Sequence, residues 1–204
     1  MPLIESSVTA LALWAVIGYL MGSVPFGMVL ARVMNLGNLR NIGSGNIGAT
    51  NVLRTGNKTA AALTLLLDAA KGAAALLLAR AITGAEDAAQ IAGLAAMFGH
   101  CYPVWLRFNG GKGVATFLGL LLALHFPVGV GACVAWLIGA GLSRMSSMGA
   151  LVSAASSTVF MTYLGMPEAV VLGVVLTLLI FWRHRANINR IRTGTEPKIG
   201  KKAS

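Results

Sequence analysis

The chain has 204 residues, 56% of them hydrophobic and only 11% charged, and its mean hydropathy is +0.76. A soluble domain of this size carries about 25% charged residues, so a soluble enzyme is excluded and a single integral membrane domain over 1–204 is expected. A net charge of +10 points to nucleic acid in a soluble protein, but in a membrane chain it follows from basic residues gathered on the inner side.

Apolar runs approaching the roughly 20 residues that cross a bilayer predict an all-α membrane protein of about seven helices. They cover about 8–34, 59–80, 87–103, 113–125, 128–143, 148–164 and 168–183. The first run is preceded by Glu5 and has no basic leader, so a cleaved signal peptide is not expected. Pro25 removes a hydrogen bond inside that run, predicting a kink or a widened pocket. Asp68 and Lys71 lie three residues apart in the second run, on one helix face. Charges at that depth face the bundle interior, so a structural ion pair is expected, with support of an active site as the alternative. The third and fourth segments are short and are read as tilted, re-entrant or packed inside the bundle. Cys101 and Cys133 stand in apolar context and are read as core thiols.

Seven spans put the termini on opposite sides. One side then receives Arg40, Arg54, Lys58, Arg107, Lys112, Arg144, Arg185, Arg190, Arg192, Lys198, Lys201 and Lys202. The other receives Glu5, Glu86, Asp87 and Glu168, with Arg80 near its edge. This segregation predicts N-out, C-in topology, with 1–7 a short outer N-terminus and 184–204 a basic inner tail.

Three polar cassettes share the inner face. The first runs from Arg40 to Arg54 and contains Ser44, Asn46, Thr50 and Asn51. Its Gly43-Ser44-Gly45-Asn46-Ile47-Gly48 spells a dinucleotide-type glycine pattern. That pattern needs a strand before it and a βαβ unit around it, and here a membrane helix precedes it. The second is Phe108-Asn109-Gly110-Gly111-Lys112-Gly113. It is not a Walker A loop, because Gly rather than Ser or Thr follows Lys112. It opens a helix, where free N–H groups would face an anion. The third is the tail from His184, with Asn187, Glu196 and Lys198 among its basic residues. Glycines, hydroxyls and cations on one face suggest a single phosphate-handling site built from three loops; a polar connector, a plain turn and a surface anchor are the plainer readings of the same stretches.

The stretches 40–56, 99–116 and 184–198 resemble the signature motifs of the bacterial membrane glycerol-3-phosphate acyltransferases that use acyl-phosphate as donor, the PlsY family. Ser23-Val24-Pro25-Phe26-Gly27 and Leu67-Asp68-Ala69-Ala70-Lys71-Gly72 also fit. Asn109, where Lys often stands, and Tyr102, where Phe is common, depart from the pattern. The resemblance implies a seven-helix enzyme of the bacterial inner membrane that transfers an acyl group from acyl-phosphate to the sn-1 hydroxyl of glycerol 3-phosphate. The products are lysophosphatidic acid and inorganic phosphate. It implies no cofactor and no metal, and transient contact with the soluble enzyme that makes acyl-phosphate. No His has Asp five positions on, since His100, His125 and His184 meet Trp105, Val130 and Asn189. The His-x4-Asp chemistry of other acyltransferases is therefore absent.

On that reading Ser44, Asn46, Thr50, Arg54, His184 and Asn187 form the catalytic set. Gly110, Gly111, Lys112, Gly113, His100, Glu196 and Lys198 bind substrate. Within it, Ser44, Asn46 and Thr50 take the acyl-phosphate headgroup, and the glycines with Lys112 take the glycerol phosphate, aided by Arg54 or a basic residue of the tail. The base is either His184 or the donor's own phosphate oxygen. A transporter of an organic phosphate is the rival class, but it predicts a midplane site and internal repeats, which the sequence does not show. A metal-dependent alcohol phosphotransferase needs several aspartates, whereas the inner-face motifs hold one acidic residue, Glu196.

Overall fold

The computed structural model describes residues 2–200. Lys201 and Lys202, counted above on the basic side, lie outside the described residues, as does the rest of the tail beyond 200. The chain divides into two compact units, 2–124 and 125–200.

The first unit contains α1 (Val8–Ser23), α2 (Phe26–Val33), α3 (Ala49–Leu53), α4 (Lys58–Thr83), α5 (Glu86–Cys101) and α6 (Val114–Leu124). α1 and α5 run side by side in the same direction. A Cβ on Gly18 would strike the Ala92 carbonyl, one on Gly22 that of Ala96, and one on Gly99 that of Tyr19. Asp87 joins their N-terminal ends, accepting from the Glu5 and Ser6 amides at 2.9 and 2.8 Å and from Ser6 Oγ at 2.8 Å. α4 approaches α6 through Gly72, next to Thr116, and through Gly119, against Ala69. α4 is capped by Asn57, whose side chain accepts from the Ala60 amide at 2.9 Å. Along α4 the small residues Ala60, Ala61, Gly72, Ala75 and Ala79 are buried, while Leu65, Leu66, Leu78 and Ile82 are exposed. That inversion suits lipid, which provides no hydrophobic drive between helices and leaves association to close backbone packing.

The expected helix over 8–34 is two helices. Val24 is extended, as a residue before proline is pushed to be, and α2 starts at Phe26. Lys71 Nζ donates to the Val24 carbonyl at 2.7 Å and pairs with Asp68 Oδ1 at 2.8 Å. The expected ion pair is therefore present, and it also satisfies a carbonyl at the break.

The second unit contains α7 (Phe126–Ser143), α8 (Ser146–Tyr163), α9 (Val170–Arg183) and α10 (Arg185–Arg192). α7 and α8 form an antiparallel hairpin, with Gly139 against Gly149 and Ser153 Oγ donating to the Ala132 carbonyl at 2.7 Å. Thr177 Oγ1 donates to the Ala154 carbonyl at 2.8 Å, fastening α9 to α8. α9 meets α10 at a bend of 61°. Cys101 is buried and Cys133 half-buried.

All seven expected segments are helical, but among the described residues fewer than seven helices are long and apolar enough to cross a bilayer. Val8–Val33, Lys58–Thr83 and Phe126–Ser143 are long and apolar enough, and the bent α9–α10 pair would make a fourth. α5 and α6 are too short, at 16 and 11 residues, and α8 is diluted by its serines and threonines.

Candidate functional site

In the first unit the organising residue of the first cassette is Asn51, which is buried. Its Oδ1 accepts from the Ser44 amide at 3.1 Å, from Ser44 Oγ at 3.4 Å and from Arg54 Nη1 at 3.2 Å. Its Nδ2 donates to the Leu39 carbonyl at 3.0 Å. One buried carboxamide thus sets both Ser44 and Arg54, which are themselves exposed. Gly43 has φ +51°, and a Cβ there would lie 2.6 Å from Arg54 Nη1, so the turn tolerates no side chain. Thr50 is exposed on the short α3, and Asn46 is half-buried, its Oδ1 accepting from the Ile47 amide at 3.0 Å.

Arg40 connects the first cassette to the second. Its Nη1 donates to the Gly45 carbonyl at 3.0 Å and its Nη2 to the Asn109 carbonyl. Neither Arg40 nor Asn51 stands in the catalytic or binding set drawn from the sequence. Both lie in the recognised motif, but an organiser differs from a ligand by burial and bonding partners, which a motif does not display.

The second cassette departs from expectation. The Gly110 and Gly111 amides, read as free donors for an anion, instead donate to the carbonyls of Cys101 and His100, each at 3.1 Å. The cause is the unsatisfied C-terminal end of α5, along which the segment runs back. A Cβ on Gly110 would strike the His100 carbonyl, one on Gly111 the His100 ring, and one on Gly113, at φ +82°, Met97 and Cys101. These glycines are contact surfaces. The donors left by helix geometry are the first-turn amides of α6, residues 114–116, because Phe117 is the first to bond back, to Gly113. Lys112, half-buried, immediately precedes that turn. His100 is buried beneath it, 4% exposed, its Nδ1 3.7 Å from Asp68 Oδ1.

In the second unit the tail cassette closes on Glu196. Its Oε1 accepts from Ser147 Oγ and from Asn187 Nδ2, both at 2.6 Å, and its Oε2 accepts from Arg190 Nε at 2.8 Å. Burial would raise its carboxyl, but these donors together hold it below the usual glutamate range. Asn187 and Ser147 are buried. A carboxylate enclosed by three donors folds the tail back onto α8 and α10. His184 is 2% exposed at the α9–α10 bend, with Nδ1 2.8 Å from the Ile180 carbonyl. A carbonyl only accepts, so Nδ1 carries the proton. Lys198 is exposed. Each unit therefore gathers its own polar cluster from the sequence-predicted residues.

Residues 12–194 match the family described as glycerol-3-phosphate acyltransferase. The glycerol-3-phosphate acyltransferase of Roseobacter denitrificans is 72% identical over 200 residues, covering 98% of this chain and 100% of the relative. That of Ruegeria pomeroyi is 65% identical over 204 residues, covering 100% of both. The crystal structure of PlsY (YgiH), an integral membrane glycerol 3-phosphate acyltransferase, in its glycerol 3-phosphate form, is 38% identical with a TM-score of 0.88. It covers 93% of this chain and 96% of that one. The lysophosphatidic acid form is 35% identical with a TM-score of 0.85, covering 93% and 95%. A match over nearly the whole length, on an all-helical fold with bilayer-length apolar helices and the motif residues in place, shows that this chain belongs to the glycerol-3-phosphate acyltransferase family.

Proposed function

We propose that the chain transfers a fatty acyl group from acyl-phosphate to the sn-1 hydroxyl of glycerol 3-phosphate, giving 1-acyl-glycerol 3-phosphate and inorganic phosphate. The observation that carries the reading is the Arg40 bridge. It holds the Ser44–Arg54 loop beside the Asn109–Lys112 loop, which supports a reading in which cations from both loops serve two anionic substrates.

Lys112 and the first-turn amides of α6 take the phosphate of glycerol 3-phosphate. Helix N-termini and an ammonium both favour an anion there. Ser44, Asn46, Thr50 and Arg54 take the acyl-phosphate headgroup, with Arg54 suited to bidentate phosphate contact. Gly110, Gly111 and Gly113 act through their lack of side chains, and His100 from beneath. His184, Asn187, Glu196 and Lys198 shape and charge the tail. The hydroxyl oxygen attacks the acyl carbonyl carbon, the carbon–oxygen bond to phosphate breaks, and the hydroxyl proton passes to the departing phosphate. The donor's own oxygen is favoured as base over His184, because it is carried to the reacting carbon by the substrate itself whereas the imidazole is 2% exposed. An anhydride has a good leaving group, so positioning, worth about 7–11 kcal/mol in favourable cases, supplies most of what is required.

The whole chain serves this one reaction, with its seven helical segments forming the membrane part. The enzyme sits in the bacterial inner membrane, N-terminus outside and the basic face inside. There it meets glycerol 3-phosphate and the soluble enzyme that supplies acyl-phosphate. The test uses purified protein in detergent with labelled glycerol 3-phosphate and either palmitoyl-phosphate or palmitoyl-CoA, without added metal. Lysophosphatidate from the phosphate donor alone is expected. Product from the thioester alone overturns the donor, and flux into proteoliposomes without acylation overturns the enzyme class.

A further inference from the structure

We propose that Asp68 and Lys71 are positioning residues for the glycerol phosphate pocket, acting through His100 and Gly111 on Lys112; this rests on the role given to Lys112 above. Both are buried in α4. Lys71 Nζ is held by Asp68 Oδ1 at 2.8 Å and by the Val24 carbonyl at 2.7 Å, with the Phe26 ring centroid 5.7 Å away. The same Asp68 oxygen lies 3.7 Å from His100 Nδ1. The His100 ring occupies the space that a Cβ on Gly111 would need, and the His100 carbonyl accepts from the Gly111 amide. Lys112 is the next residue. A continuous series of contacts therefore runs from the break at Pro25, through a buried ion pair and an imidazole, to the backbone that presents the cation.

The same break is tied to neighbouring parts of the site. Trp105 Nε1 donates to Ser23 Oγ at 2.8 Å, and Tyr19 Oη to the Tyr102 carbonyl at 2.8 Å. A Cβ on Gly27 would strike the Ile47 carbonyl of the first cassette. A buried ion pair adds little net stability over an apolar pair of similar volume, so stability alone is a weak reason for one here. Fixing the His100 ring, and with it the height of the Gly111 backbone, gives the pair a task that an apolar replacement does not perform.

A double-mutant cycle separates positioning from plain structural support. Asp68→Asn and the paired Asp68→Asn/Lys71→Met are each made alone and with Lys112→Ala. KM for glycerol 3-phosphate, KM for palmitoyl-phosphate, kcat and the detergent Tm are measured. The paired variant leaves no unpartnered buried charge. The expected result is a rise of about fivefold or more in KM for glycerol 3-phosphate, shrinking to less than about twofold in the Lys112→Ala background. KM for palmitoyl-phosphate stays unchanged. Effects that multiply fully with Lys112→Ala, equal shifts in both KM values, or failure of the paired variant to fold each overturn the proposal. An unchanged KM in Lys112→Ala alone overturns the anion-pocket reading instead, whatever Asp68 does.

Discussion

Replacing Asn51 with Ala removes the contacts that order the first cassette. Three donors lose their common acceptor, and the Leu39 carbonyl loses its side-chain donor. A typical hydrogen bond contributes about 0.5–1.5 kcal/mol net, and a buried group left unsatisfied costs about 1–3 kcal/mol. The 3.4 Å hydroxyl contact is weak and the Arg54 contact is solvent-facing, so the loss from the loop is about 2–4 kcal/mol. If that ordering is what presents Ser44 and Arg54, kcat/KM falls by about 30- to 1000-fold. Of the helices only the short α3, which carries Asn51, is altered and the long helices are untouched, so the detergent Tm changes little. The assay pairs lysophosphatidate production with hydrogen exchange over residues 39–54. Exchange at Ser44 and Arg54 rises in step with the lost activity. A variant that keeps kcat/KM within about twofold, or loses it with no change in exchange over 39–54, refutes the reasoning.

Gly111→Ala places a Cβ onto the His100 ring, 2.9 Å from Cε1. It should cost about 1–3 kcal/mol as overpacking, read as a raised KM for glycerol 3-phosphate. Gly141→Ala, with open space around it, stays within about 0.5 kcal/mol and is the control. His184→Gln should leave turnover and its pH profile near normal. A loss of about 10²–10⁴-fold in kcat would make the imidazole the base. Glu196 titrates below its ordinary value when folded. Its stabilisation is therefore full above the unfolded value, about 4.3, and is lost as pH falls through the folded value. Glu196→Gln should lower Tm at neutral pH and flatten the acid limb of the Tm profile; parallel profiles for both proteins would contradict this.

The helical segments were legible because lipid demands long apolar runs, and the Asp68–Lys71 pair because a three-residue spacing shares a helix face. The motif residues were legible by resemblance. Two roles were not. Asn51 stands among Ser44, Asn46 and Thr50, and composition does not reveal which of four small polar residues turns inward. Gly110 and Gly111 read as amide donors because glycine brings backbone close to ligands. Only the position of the α5 C-terminus shows that their amides are already engaged. The count of seven crossings rested on helix number, whereas α5 and α6 are shorter than a bilayer needs.

The contact between α1 and α5 also has a consequence in time. Ser6 and Asp87 stand 81 residues apart in the chain, and Gly18 and Gly22 find their partners on the same distant helix. At about 5–20 residues per second, a ribosome takes roughly 4–16 s to deliver that partner. Throughout that interval the glycine face of α1 is without its α5 partner. The first helix made thus waits for the fifth before this contact can lock it in place, and a mutation on that face acts first on biogenesis.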